Sequence, residues 1–341
     1  MPGSNLESRR PYIARLLEEL KTGASHCGLL ESIFVGGGTP SLLSIAEWQE
    51  IGEAIHTFFK QSPGCEWTME ANPESLTPGL VEIWRALGVN RISLGIQAFQ
   101  PELRATIGRR GNLDRLEEVV AALRQNGIRR LNFDLIFNIP GQTLSQWHDT
   151  LMQALSYAPT HISAYALTLE EGTRLAKVLP PLKDEDFLAF WNETDRGLAT
   201  AGIHRYEISN FSLPGEQCRH NHAIWHGGTY LGCGPAAASF DGSLRWTNPS
   251  SLDHWLAHQP PEKDLLPPEE RAAEILALGF RTLAGWKWSE FTATTGFDAL
   301  ALRGNALKKL ETMGLVHLTS HGAAPTPQGL LFNDNLAMEL I

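Results

Sequence analysis

Cysteine is scarce in this chain: there are four in 341 residues, Cys27, Cys65, Cys218 and Cys233. They make no CxxC pair and no evident disulfide framework, which argues against a stapled secreted fold. Basic residues are also in deficit, with 28 Lys plus Arg against 38 Asp plus Glu and a formal net charge of -10. That balance argues against a nucleic-acid partner held by general electrostatics. No apolar run is long enough to span a bilayer, and no secretory leader precedes the first polar residues. A cytoplasmic location is the expectation. Apolar residues are plentiful, at 43%, over a length that allows one large α/β domain plus a smaller one.

The order of elements is regular. In "ESIFVGGGTPSLL" (31–43) a short strand over 32–35 runs into Gly36, Gly37 and Gly38, which remove every Cβ from its end. Bare backbone of this kind lets main-chain amides approach a ligand closely. It lacks the Lys-Ser/Thr of a P-loop and the third glycine of a dinucleotide fingerprint. Helical spacing over 44–59 is followed by a strand in "EWTMEANP" (66–73), then a helix over 77–88 with Thr77 as N-cap and Pro78 in its first turn. Strands over 90–99, 130–143 and 161–173 alternate with helices over 112–127 and 144–158. Five strand–helix alternations predict a parallel sheet covered by helices, with near-continuous apolar strands buried on both faces. Polar or glycine residues recur at the strand ends, which favours a barrel or partial barrel with its site on that rim.

Past Thr173 the rhythm changes. Pro180-Pro181 breaks the chain, 184–202 reads as a helix, 204–211 as a strand, and a Gly- and His-rich stretch continues to about Phe240. "PPEKDLLPPEE" (260–270) reads as a linker. The remainder has a winged-helix-like pattern of helices and a small hairpin, but with few basic residues beyond Arg303, Lys308 and Lys309 DNA binding is not expected. The predicted division is a partial (β/α) barrel over 1–175, a barrel extension over 176–259 and a C-terminal domain over 260–341.

Six ordered segments carry a resemblance: "FVGGGTPSLL", "EANPESLT", "RISLGIQAFQPELRATIGRR", "NFDLIFNIPGQTLSQWHDTL", "HISAYALTLEEGT" and "YEISNFSLPGEQCRHNHAIWHGGTYLGCGPAAASF". Together they resemble the radical S-adenosylmethionine (SAM) proteins related to oxygen-independent coproporphyrinogen oxidase, and within that group the haem-chaperone branch called HemW. The resemblance covers nearly the whole chain. It implies an α/β fold, a partial parallel (β/α) barrel followed by a smaller winged-helix-like domain. It further implies that the GGGTP loop lies against the methionine part of SAM.

SAM presents an ammonium, a carboxylate, a ribose diol and an adenine. The resemblance assigns its contacts to backbone amides around Gly37, Gly38 and Thr39, to Glu70 and Asp134 as acceptors, to Gln97, and to Arg109 as a carboxylate clamp. Thr168 is assigned to the adenine side. The family also holds a [4Fe-4S] cluster on a CxxxCxxC loop, since its irons need thiolates. That spacing is absent from the 341 residues. The expectation is that Met1 begins past the first barrel strand and the cluster loop, and that the chain as it stands does not perform radical chemistry.

"CRHNHAIWHGG" (218–228) gathers Cys218, His220, His222 and His226, residue types that bind haem iron or zinc. The spacing matches no common zinc motif, and no metal site is expected. In the HemW branch an HNxxYW motif here is associated with haem. His220, Asn221 and Trp225 match it, whereas Ile224 replaces the tyrosine and loses a hydroxyl. The resemblance therefore implies a haem chaperone that passes haem to apo-haemoproteins of the respiratory chain, allowing peripheral contact with membrane-bound recipients and a homodimer. The alternatives are an oxygen-independent coproporphyrinogen III oxidase and a degenerate SAM-binding protein.

Overall fold

The computed structural model describes residues 6–109, 111–169, 172–179 and 184–341; the break expected at Pro180-Pro181 lies outside them. The described chain divides into two compact units, one of Ser32–Trp48 and Glu66–Gln217, the other of Met1–Glu31, Gln49–Cys65 and Cys218–Ile341.

The sheet is built from β1 (Leu30–Val35), β2 (Gln61–Ala71), β3 (Arg91–Gln97), β4 (Arg130–Phe137), β5 (His161–Ala166), β6 (His204–Arg205) and β7 (Asn210–Ser212), in the order β1-β2-β3-β4-β5-β7-β6. From β2 to β5 each strand pairs in parallel with the next. β7 then runs antiparallel to both β5 and β6. This is the expected mostly parallel α/β arrangement, closed at one end by a hairpin. Local signals start the covering helices where the sequence places them. Thr77 accepts from the Leu80 amide at the head of Pro78–Ala86, and Thr143 with Gln146 forms a capping box on Leu144–Ser156. The single strand expected over 204–211 is in fact two, because Glu207 Oε1 accepts from the Ser209 amide at 2.7 Å and from Asn210 Nδ2 at 2.6 Å, which folds the intervening residues into a turn.

The strands are not apolar on both faces. Leu131, Phe133, Leu135 and Phe137 are buried on one face of β4, and Phe137 packs on Trp147 and Phe190 of the covering helices. The opposite face is polar yet buried: Ser93, Asn132, His161 and Ser163 are at most 4% exposed. Strand alternation separates the two sets.

In the other unit, helix Leu6–Gly23 presents Glu19, whose carboxylate accepts from Trp255 Nε1 and the Gly234 amide, each at 2.8 Å. β8 (Ala238–Phe240), β9 (Arg245–Thr247) and β10 (Glu262–Asp264) form an antiparallel sheet. The segment expected as a linker therefore contains β10, held by pairing of Lys263 with Trp246 and by Asp264 between Arg245 (2.6 Å) and Arg271 (3.1 Å). Helix Pro268–Gly279, β11 (Trp286–Lys287), helices Trp288–Thr295 and Ala299–Thr312, β12 (Val316–Leu318) and β13 (Gly322–Pro325) follow, with sheet order β11-β13-β12. This winged-helix order closes on a core that includes Leu276, Phe280, Trp286, Phe291, Leu307 and Leu336. No described helix is long and apolar enough to cross a membrane.

Candidate functional site

Of the residues expected on the rim, Gly37, Gly38, Glu70, Gln97 and Thr168 lie near or beyond the C-terminal ends of their strands, whereas Asp134 stands inside β4, three residues before its end. Gly37 and Gly38 are exposed directly after β1, and Gly37 has φ +74°. A Cβ on either would meet nothing within 4 Å, so their outer face is open. Gly36 is different: a Cβ there would fall 2.4 Å from Glu70 Cδ. The bare backbone thus lets the Glu70 carboxylate lie against the loop, where Oε2 accepts from the Gly37 amide at 3.1 Å. Burial and the neighbouring Asp134 raise the Glu70 pKa, and the Gly37 amide opposes the rise. Thr39 Oγ1 accepts from Asn72 Nδ2 at 3.4 Å.

Asp134 stands on the polar face of β4, in register with Gly95 and Ser163. Ser93 Oγ donates to its Oδ2 at 2.7 Å and Asn132 Nδ2 to its Oδ1 at 2.9 Å. Burial raises its pKa, with Ser93, Asn132, Ser163 and Arg91 opposing. Gln97 ends β3 with φ +63°, a conformation costing about 1–3 kcal/mol in a non-glycine residue. Its register slips against β4 there, and its Oε1 is buried without a hydrogen-bond partner. A strained residue with an unsatisfied buried acceptor at a strand end makes Gln97 a candidate polar contact. Gly37, Glu70 and Asp134 thus come together, with Gln97 at the adjoining strand end. Thr168 is exposed just past β5. Arg109, also exposed, stands on the wall of a cavity of ≈ 830 Å³ lined by Phe99, Arg104, Ile107 and Val178 among others.

Sequence reasoning missed the layer beneath the rim. His161 lies between Asn132 Oδ1 (2.6 Å from Nδ1) and the Tyr206 hydroxyl (2.9 Å from Nε2). Burial, aided by Arg91 and Arg130, holds its pKa well below the usual histidine value, so the ring is neutral. The available signal was the spacing of Asn132 from Asp134, which puts both on one strand face.

Cys65 and Cys218 are buried, Cys27 and Cys233 half-buried, all as free thiols. Among the described residues no three His, Cys, Asp or Glu side chains group to hold a metal.

In the other unit, His220, Asn221 and Trp225 all fall on one short helix, Arg219–Trp225. It ends in a Schellman motif: the Gly228 amide donates to Ala223 O at 2.8 Å and that of Gly227 (φ +71°) to Ile224 O at 3.1 Å. A Cβ on Gly228 would come 2.8 Å from Ala223 O, so this stop requires glycine. Trp225 is half-buried with the Arg281 guanidinium 5.6 Å from its ring centroid. His222 and His226 stack at 4.3 Å, and His226 meets Trp286 edge-on at 4.8 Å. Burial and His226 lower the His222 pKa against the opposing effect of Glu290. His226 is thereby committed to packing, with Nδ1 3.0 Å from His222 O and Nε2 3.2 Å from Gly285 O.

Comparison with known proteins agrees with these features. Residues 4–154 match the radical SAM superfamily and residues 266–332 the HemN C-terminal domain. The chain is 35% identical over 296 residues to the heme chaperone HemW of Synechocystis, covering 82% of this chain and 71% of that one. It is 31% identical over 341 residues to heme chaperone HemW of Bacillus subtilis, covering 95% and 89%. The crystallised coproporphyrinogen III oxidase HemN of Escherichia coli superposes with a TM-score of 0.84 at 19% identity, covering 98% of this chain and 84% of that one, a likeness of fold.

Proposed function

The chain belongs to the HemW family of haem chaperones within the radical SAM superfamily, and from that premise we propose that it binds haem on helix Arg219–Trp225 and delivers it to apo-haemoproteins. The observation that carries the site is this helix itself, which gathers His220, Asn221 and Trp225 within two turns and is stopped by Gly227 and Gly228. His220 is the axial ligand, its imidazole supplying a nitrogen to the iron. Trp225 supplies a flat apolar wall for the macrocycle. Respiratory proteins are the recipients, reached from the cytoplasm, and the working form is a homodimer.

At the strand ends the same chain binds SAM. The Gly37–Thr39 backbone takes the methionyl group, Glu70 and Asp134 accept from ribose hydroxyls or the ammonium, and Gln97 uses its unsatisfied oxygen. Arg109 clamps a carboxylate and Thr168 borders the adenine. In the family, a cluster-bound SAM supplies radical chemistry. The thiols of this chain do not fit a cluster, so its own residues are assigned binding and orientation only.

Haem titration tests the proposal. The protein should bind ferric haem with a Soret band that shifts in His220→Ala, and Trp225→Ala should weaken binding. His222→Ala and His226→Ala should matter less, and Ile224→Tyr should tighten binding by restoring a hydroxyl near the iron or a propionate. Unchanged haem affinity in both His220→Ala and Trp225→Ala would move the site elsewhere. Consumption of coproporphyrinogen III by the purified chain would favour the oxidase reading instead.

A further inference from the structure

With Asp134 ionised, the polar layer beneath the SAM rim takes one self-consistent pattern of hydrogens, and it starts from that carboxylate. An ionised carboxylate only accepts. The atom of Asn132 that lies 2.9 Å from Asp134 Oδ1 is therefore its Nδ2, which also donates to Ser93 Oγ at 2.7 Å. Ser93, having accepted that hydrogen bond, turns its own hydrogen to Asp134 Oδ2 at 2.7 Å. Asn132 must then aim Oδ1 the other way, at His161 Nδ1 2.6 Å distant, with the Ser163 hydroxyl 3.2 Å from the same oxygen. An amide oxygen cannot donate, so Nδ1 of the neutral ring carries the proton. Nε2 is left bare and accepts from the Tyr206 hydroxyl at 2.9 Å. Every bond from Tyr206 inward points toward the same carboxylate.

We propose that His161, protonated on Nδ1 and backed by Tyr206, is a positioning residue that locks the Asn132 amide and so holds Asp134 oriented as an acceptor for the ligand at the strand ends. This rests on the reading that SAM occupies the rim. His161 is 1% exposed and touches no open surface, so its action on a ligand runs through Asn132 and Asp134. Because the relay joins β4, β5 and the hairpin that follows, it also fixes the spacing of those strands below the rim.

Two measurements test it. In protein labelled with ¹⁵N-histidine, the His161 ring, identified by its loss in His161→Gln, should show a protonated Nδ1 and a bare Nε2. Calorimetric titration should then use S-adenosylhomocysteine as the probe. His161→Gln can still donate to Asn132 and accept from Tyr206, and should stay within about threefold of the wild type. His161→Phe, folded by circular dichroism, should lose about tenfold, the equivalent of one hydrogen bond of about 1.4 kcal/mol. A ring protonated on Nε2 overturns the relay. So does a folded His161→Phe that binds like the wild type, or a His161→Gln as impaired as His161→Phe, which would mark a packing role. A wild-type protein that takes up no S-adenosylhomocysteine overturns the SAM reading, and the relay is then decided by the nitrogen resonances.

Discussion

Replacing Gly36 by alanine separates the binding role of the glycine loop from its role as a turn. The new Cβ would lie 2.4 Å from Glu70 Cδ and 2.6 Å from both carboxylate oxygens, where carbon contacts are comfortable at about 3.5 Å or more. Gly36 is not among the residues of positive φ, so alanine brings no backbone strain there, unlike at Gly37. The colliding atoms are the far end of a flexible side chain, and the carboxylate can swing aside by roughly 1 Å. What is lost is the bond from the Gly37 amide to Oε2 at 3.1 Å and the placement of an acceptor on the rim. Folding stability should therefore fall by less than about 1 kcal/mol, as the loop is exposed and its hydrogen bonds exchange with water. A ligand hydrogen bond to a charged acceptor is worth about 1.5–3 kcal/mol, so affinity for S-adenosylhomocysteine should drop by roughly 10- to 150-fold. Calorimetry on wild type, Gly36→Ala, Glu70→Ala and the double variant completes a cycle. If Gly36→Ala acts through Glu70, it adds nothing once Glu70 is gone. Additive losses, or full affinity in Gly36→Ala, would refute the reasoning.

Glu70→Gln should raise stability at neutral pH while weakening S-adenosylhomocysteine binding, because burial and Asp134 disfavour the ionised carboxylate in the fold. A raised folded pKa means the destabilisation is complete above that value and vanishes as pH falls toward the ordinary glutamate value of about 4.3. Urea midpoints of the two proteins should accordingly converge in acid, and a gap that widens there would contradict the assignment. Gly279→Ala should destabilise the winged-helix unit despite a helix preference of about 1 kcal/mol for alanine. Its Cβ would fall 2.0 Å from Nε1 of the buried Trp286, and overpacking of a core costs about 1–3 kcal/mol; a higher urea midpoint would show the packing argument to be wrong. Anaerobic reconstitution of the 341-residue chain with iron and sulfide should yield no [4Fe-4S] cluster, its four cysteines being scattered. A band near about 400 nm with matching iron and sulfide content would be the contrary result.

Local chemistry was legible in the residues alone. Thr77 announces its helix because a capping hydroxyl acts within one turn, and the glycine run after β1 marks open backbone because a missing Cβ is a property of the residue itself. The order of strands and helices followed from such short-range periodicities, and with it the placing of Gly37, Glu70 and Gln97 near strand ends, whereas Asp134 stands inside β4. Pairing was not legible. Whether 260–270 is a linker or carries a strand depends on Trp246 being free to pair with Lys263, which no local pattern reveals. Helix Arg219–Trp225 was hidden because histidine and glycine promote no helix by themselves, and its stop is a hydrogen bond from Gly228 back to Ala223. Chemically most telling, the buried network beneath Asp134 joins Ser93 and Asn132, which bond the carboxylate, to His161, which bonds Asn132, on three different strands. Strand register brings them within hydrogen-bonding distance, and register is settled by the whole sheet rather than by any one segment. Residue type determined which groups could bind; only the tertiary pairing decided which of them share a hydrogen.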